Sequence, residues 1–189
     1  IDDLGGIELE ITSSELNYIN GYIDEINKVD KTNSAHITKT GTQRVDGTQA
    51  VAYSRIRYTA GGDYKRAERQ RTVLMKIFEK AKQESTVKLL EIVDKMMDQI
   101  GTNYSSGEVI SMLSYLAKYE MEETKAFPNK LWGGKVGGVW YGVPVTLESN
   151  AKDLHSYLYP EEKYEPSEKV KEISGQIEQV ASTPNEVLE

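Results

Sequence analysis

The sequence predicts an α/β fold, with helices packed around a central mixed β-sheet of which this chain supplies only some strands. Three observations predict it. Apolar residues alternate with polar ones over Ile7–Ile11, the period of a strand with one buried face, and Val136–Val145 also reads as a strand. Apolar residues recur at three- and four-residue spacing over several longer segments, the period of an amphipathic helix. Glycine, proline and short polar residues separate these segments.

Taken in order, Ile7–Ile11 reads as a strand. Thr12 or Ser13 then caps a helix with Glu15 in its first turn, running to about Val29 with Leu16, Ile19, Ile23 and Ile26 on its apolar side. Lys31–Gly41 is polar and turn-rich. A short helix is predicted around Gly47–Tyr53, ahead of the Arg55-x-Arg57 pair. The Gly61-Gly62 pair reads as a loop, because glycine is disfavoured in helix interiors. A long helix follows over about Asp63–Lys82, with Leu74, Ile77, Phe78 and Ala81 on one stripe flanked by Val73, and with Lys65, Glu68, Arg69, Lys76 and Glu79 on the solvated side.

Gln83–Thr86 breaks the pattern. Leu89, Leu90, Val93, Met96, Met97 and Ile100 resume it as far as Gly101, and a further helix over about Ser106–Tyr119 is expected to bury Val109, Ile110, Leu113 and Leu116. Methionines in such stripes act as core gap-fillers. Met121–Phe127 and Val136–Val145 read as strands, separated by Pro128 and a Gly133-Gly134 turn. Trp132, Trp140 and Tyr141 cluster there, as cross-strand packing or as a platform for sugars. Leu147–Tyr159 closes the main domain, residues 1–160, as a helix with Leu154 and Leu158 inward. Residues 161–189 are rich in Glu, Lys, Ser and Pro, and Val170, Ile173, Ile177 and Val180 are spaced as a weak amphipathic helix. That composition predicts a solvated appendage unless the stripe docks on a neighbour.

At 189 residues the chain can bury one real core. A net charge of −7 argues against nucleic acid as a partner, since phosphate backbones call for a basic surface. The chain has no cysteine, which excludes disulfides and thiolate metal sites. His36 and His155 lie far apart and beside no ligand-spaced carboxylates, so both read as structural or surface residues. No apolar run approaches the roughly 20 residues that cross a bilayer.

Against this acidic background, the five arginines within Asp46–Lys82 stand out. Continuing the stripe of the long helix toward its N-terminus passes through Gln70, Arg66 and Asp63. An inward charge without a partner costs several kcal/mol, on the order expected for desolvated ions. Two readings offset it: an Asp63–Arg66 ion pair at i,i+3, or an anionic ligand at the helix N-terminus, where free amides and the macrodipole favour negative charge. If Tyr53–Tyr58 is extended, Arg55 and Arg57 share a face. Guanidinium forks suit phosphate oxygens in pairs, so Arg55, Arg57 and Arg66 together suit a ligand with more than one phosphate.

The run DGTQAVAYSRIRYTAGGDYKRAERQRTVL resembles the signature of the LytR-CpsA-Psr family: an aliphatic-Tyr-x-Arg-x-Arg segment, a short loop, then Asp-x-x-Arg-x-x-Arg-Gln opening a long helix. The opening IDDLGGIELEI and the late LESNAKDLHSYLY extend the likeness over about residues 1–160. The resemblance implies an extracytoplasmic, membrane-anchored phosphotransferase of Gram-positive-type envelopes. Such an enzyme moves a glycopolymer, of wall teichoic acid or capsular polysaccharide type, from a polyprenyl-pyrophosphate carrier to peptidoglycan. It places Arg55, Arg57, Arg66 and Gln70 on the pyrophosphate with Asp63 beside them, the last a contributor to catalysis. It also implies that the family's metal-binding aspartates, for Mg or a similar divalent cation, a further arginine and the membrane anchor precede Ile1. On that reading this is the C-terminal part of the catalytic domain, with no metal site of its own, weak or no turnover, and a tendency to self-associate. A noncatalytic module that binds lipid-linked pyrophosphate or anionic wall polymer is the alternative.

Overall fold

The computed structural model describes residues 1–59, 62–97, 99–121, 124–136, 138–180 and 186–188. They form two compact units, Ile1–Glu122 and Glu123–Glu189. The α/β class is the observed one. Among the described residues the strands lie in two small antiparallel sheets, one in each unit.

In the first unit β1 (Ile7–Ile11) pairs with β2 (Gly41–Val45). The alternation in β1 is realised residue by residue, with Ile7, Leu9 and Ile11 buried and Glu8 and Glu10 exposed. Gly6, just before it, has φ 87° and lies so close to the next strand that a Cβ would meet the Val45 carbonyl oxygen at 2.7 Å. Glycine is required there by both conformation and space. The β2 strand starts at Gly41, the last residue of the segment read as turn-rich, and covers residues for which no element was expected.

Helix α1 (Ser13–Asp30) begins at a capping box, Thr12 receiving the Glu15 amide while the Glu15 carboxylate accepts from the Thr12 amide. Its Ile19, Ile23 and Ile26 pack on β1 residues in one hydrophobic core that also takes Ala50, Ala52, Ile56 and Val73. Two asparagines of α1 hold down the polar segment after it. Asn20 exchanges two hydrogen bonds with the backbone of Ile37, and Asn27 binds the backbone of Ser34 on both sides. Helix α2 (Gly47–Arg55) opens at a second capping box, Asp46 with Gln49. It runs two residues beyond the expected end and includes Arg55.

Helix α3 (Gly62–Ala81) is rotated from the face that its apolar residues suggested. Leu74, expected inward, is 63% exposed. Arg69, expected in solvent, is buried, and with Val73 and Ile77 it makes the inner stripe. The cause is an electrostatic partner on another helix. Arg69 Nε donates to Glu15 Oε1 at 2.8 Å, and both side chains are 7% exposed. The other guanidinium nitrogens donate to the Ile56 carbonyl at 3.2 Å and to Thr59 Oγ1 at 2.8 Å. One cation thus ties α1, α3 and the segment that follows α2.

Helices α4 (Thr86–Met97) and α5 (Ser106–Ser114) are shallower than their periodicity implied. Only Leu89 of α4 is buried, and α5 buries no residue. Val109, Leu113 and Leu116 are half-buried and Ile110 is exposed, as are Val87, Met96, Ile100 and Met112.

The second unit contains a hairpin of β3 (Leu131–Val136) and β4 (Val139–Pro144), with β5 (Glu186–Leu188) on the other edge of β3. The turn falls after Val136, and the Gly133-Gly134 pair lies inside β3, Gly133 opposite Gly142. No strand occurs over the described residues of Met121–Phe127. Trp132 is buried and Tyr141 exposed, so these two do not share a sugar platform. The Trp140 side chain lies outside the described residues. Helix α6 (Leu147–Leu158) packs against α7 (Glu168–Val180), where Ser174 is buried and accepts from the Glu148 amide. The stripe in residues 161–189 therefore docks on α6 within this unit.

Among the described residues no helix is long and apolar enough to cross a membrane.

Removing one side of a buried ion pair costs about 3–5 kcal/mol, because the other charge is left desolvated. Arg69→Met is therefore expected to lower the urea midpoint strongly, and Glu15→Gln in the same background, which keeps the capping box, is expected to restore part of the loss. Burial pushes the Glu15 carboxyl up, but hydrogen bonds from the Thr12 amide, Arg69 and the Thr12 hydroxyl outweigh it and hold the carboxylate below its ordinary value of 4.5. A lowered folded-state value means that this stability is complete above 4.5 and is lost as pH falls through the folded-state value. Urea midpoints measured from about pH 6 down to about pH 3 should fall more steeply for the unaltered chain than for Glu15→Gln. The exposed apolar side chains of α4 and α5 predict self-association, which light scattering at rising protein concentration would show as a growing mean mass.

Candidate functional site

In the first unit an open cavity of about 560 Å³ is lined by Arg55, Arg57, Arg66 and Gln70. Four of the five residues singled out in the sequence thus meet on one space. The route differs from the expected one. Tyr53–Tyr58 is not an extended run with two arginines on one pleat face: Arg55 closes α2, and the chain leaves the helix at Ile56 with φ −56° and ψ 123°. That change of direction sends Arg57 back toward Arg55. Arg66 and Gln70, four residues apart on α3, present neighbouring positions of one helix face.

The fifth residue, Asp63, sits between the arginines rather than on the cavity wall. Its Oδ2 accepts from Arg57 at 2.8 Å, and its Oδ1 lies 3.0 Å from a terminal nitrogen of Arg66 as an ion pair. Arg55 pairs with Glu25 at 3.1 Å and lies over the ring of Tyr22, 5.2 Å from its centroid. The i,i+3 ion pair is therefore real, and each guanidinium has an acid partner. These pairs are open to solvent, with side chains 40–61% exposed. Exposed pairs contribute about 0–1 kcal/mol. Each arginine reaches its acid through one terminal nitrogen, so most of its five N–H donors remain free of these carboxylates.

A further part of the lining had no place in the sequence reading. Tyr18, Gly21, Tyr22 and Glu25 supply it at i, i+3, i+4 and i+7 of α1, the face turned away from Ile19, Ile23 and Ile26. Tyr58 joins them, its ring 6.2 Å from that of Tyr18. The signal was present as a second regular stripe on α1, with tyrosines where charged residues are usual. Buried Arg69 acts on the same cavity indirectly: by holding Ile56 and Thr59 it fixes the short segment that carries Arg57 and Tyr58. Tyr53, on the core side of α2, is pushed up to about 12 by burial, with the Glu15 charge adding to it.

The histidines take no part. His36 bonds exposed Asp24 at 2.7 Å, and His155 stacks on Tyr164 at 4.3 Å between ring centroids, in the other unit. Among the described residues no three His, Asp or Glu side chains gather as a metal site.

The chain resembles known proteins over most of its length. Residues 1–153 match the family model of the LytR_cpsA_psr family. A segment of 80 residues, 40% of this chain and 20% of the relative, is 39% identical to biofilm regulatory protein A of Streptococcus mutans serotype c. A segment of 125 residues, 66% of this chain and 36% of the relative, is 28% identical to the polyisoprenyl-teichoic acid–peptidoglycan teichoic acid transferase TagT of Bacillus subtilis. The matches thus span about a fifth and about a third of those two proteins. The crystal structure of Bacillus subtilis TagU superposes with a TM-score of 0.50 at 22% identity, over 87% of this chain and 61% of that one, a likeness of fold. With its arginine-lined cavity assembled from the residues of the family signature, the chain belongs to the LytR_cpsA_psr family.

Proposed function

We propose that this chain supplies the arginine-rich, pyrophosphate-binding part of an enzyme that transfers a glycopolymer, of wall teichoic acid or capsular polysaccharide type, from a polyprenyl-pyrophosphate carrier to peptidoglycan at the outer face of the membrane. In this reading Arg55, Arg57, Arg66 and Gln70 grip the diphosphate. The observation that carries it is their convergence on one open cavity, on guanidiniums committed only to weak, exposed ion pairs. Family membership and the name of the TagT relative support the carrier and the transfer.

The chemistry asks little of the chain beyond position and charge. An acceptor hydroxyl attacks the sugar-side phosphorus and gives up its proton, the anhydride P–O bond breaks, and prenyl phosphate leaves with the electron pair and takes up a proton. Guanidiniums that meet the nonbridging and leaving oxygens neutralise the charge that develops there. Gln70, uncharged, offers an amide donor without adding to the repulsion among the three cations. Leu74 follows Gln70 by one turn on the same face of α3 and is exposed, so an apolar surface begins where the phosphate-binding residues end. That order suits a lipid diphosphate.

The divalent cation implied by the family resemblance finds a poor fit in these residues. The nearest carboxylates, Glu25 and Asp63, are both engaged by arginines.

Titration with a short-chain polyprenyl pyrophosphate and the matching monophosphate tests the proposal. The pyrophosphate is expected to bind more tightly, and Arg55→Ala or Arg66→Ala to weaken it by about tenfold each, the loss of a charge-assisted contact at a wet site. Equal affinity for both lipids, unmoved by either substitution, would leave the arginines as a surface ion-pair network.

A further inference from the structure

The second unit contains a cavity of its own, of about 770 Å³, between the segment ahead of β3 and the outer face of α6. Its walls combine two kinds of surface. Phe127 and Tyr157 expose their rings, at 47% and 43%. Beside them stand Asn129 and Asp153, with Lys130 and Lys125 at the margin. The Asp153 carboxylate lies 3.5 Å from the Asn129 amide nitrogen and 3.4 Å from the Lys130 ammonium. The Lys125 ammonium lies 4.9 Å from the centroid of the Tyr157 ring.

This cavity is held by a dedicated buried residue. Asn150 is fully buried in α6 and directs its amide at the backbone of the facing segment: Oδ1 accepts from the amides of Asn129 at 2.9 Å and Lys130 at 3.3 Å, and Nδ2 donates to the Lys130 carbonyl at 3.1 Å. The same Nδ2 donates to the Thr146 carbonyl at 2.9 Å. Asparagine is an indifferent residue within a helix, so its cost there is offset by what it fixes. It sets the backbone that carries Asn129 and Lys130 against the α6 turn that carries Asp153. The polar groups of the cavity are thereby preorganised on one rigid element.

We propose that this cavity is a subsite for a sugar ring bearing an acid group. A pyranose has an apolar C–H face and a rim of hydroxyls that both donate and accept. The exposed rings of Phe127 and Tyr157 match the face, while the Asp153 carboxylate and the Asn129 amide, side by side, match donor and acceptor on adjacent hydroxyls. Lys130 is engaged by Asp153, which leaves the Lys125 ammonium, over the Tyr157 ring, to meet the acid of a ring stacked there. The inference rests on the second unit alone and does not depend on the arginine cavity.

Backbone amide spectra of the full chain, titrated with chitotetraose as the neutral probe and a hyaluronan tetrasaccharide as the acidic one, test it. Shifts are expected at residues 125–130 and 153–158 with both sugars, with the acidic one binding several-fold more tightly. Tyr157→Ala is expected to weaken both by about tenfold, and Lys125→Gln to remove the preference for the acid. Each variant alters an exposed side chain, and its dispersed spectrum reports that it is folded. Absence of shifts at millimolar sugar, shifts confined to the arginine cavity, or affinities unchanged in Tyr157→Ala would overturn the proposal.

Discussion

The first unit depends on one interaction, the buried pair of Glu15 and Arg69. Its hydrogen bonds are spread so that neither charge is wasted. Glu15 closes the capping box of α1 and takes Arg69; Arg69 gives its remaining donors to Ile56 and Thr59. A carboxylate that caps a helix is favoured by the helix dipole before any ion pair is formed, which reduces what Arg69 must contribute. The pair therefore sits where sequence-local and long-range preferences agree. Through it, the orientation of α3 and the path of the chain after α2 become one decision. The convergence of Arg55, Arg57 and Arg66 follows from that decision.

Much of this was legible in the sequence. The strand at Ile7–Ile11, the first helix with its cap, the long helix after the glycines and the closing helix at Leu147 all lie within a few residues of their expected bounds, because each combines a clean period with a start or stop signal. The set of arginines around one cavity was legible too. The rotation of α3 was not. A count of apolar residues favours Leu74 inward, and only a carboxylate 54 positions away makes Arg69 the better-satisfied core residue. Partners separated that far leave no periodic trace. The hairpin turn was missed for a related reason: Gly133 and Gly134 look like turn residues, yet they lie within β3 and face β4 across the ladder. Asn150 carried no signal at all, since its value lies in the backbone it meets.

The two cavities divide the chemistry by kind. In the first unit three arginines share an open space with Tyr18, Tyr22 and Tyr58. In the second, two exposed aromatic side chains stand beside one amide, one carboxylate and two lysines. Both are held by a buried polar residue with several hydrogen bonds, Arg69 in one case and Asn150 in the other.

Asp63 bridges two guanidiniums through separate oxygens, the same posture that a guest's own oxygens would take. It is a competitor tethered in place, present at a constant effective concentration however dilute the guest. A lone carboxylate arriving from solution offers the arginines nothing that they do not already have, and must give up its freedom to do so. A group that presents several charged oxygens at once can displace the incumbent and still gain. On the proposed reading, the acid shared by Arg57 and Arg66 favours guests that present several charged oxygens over small singly charged anions.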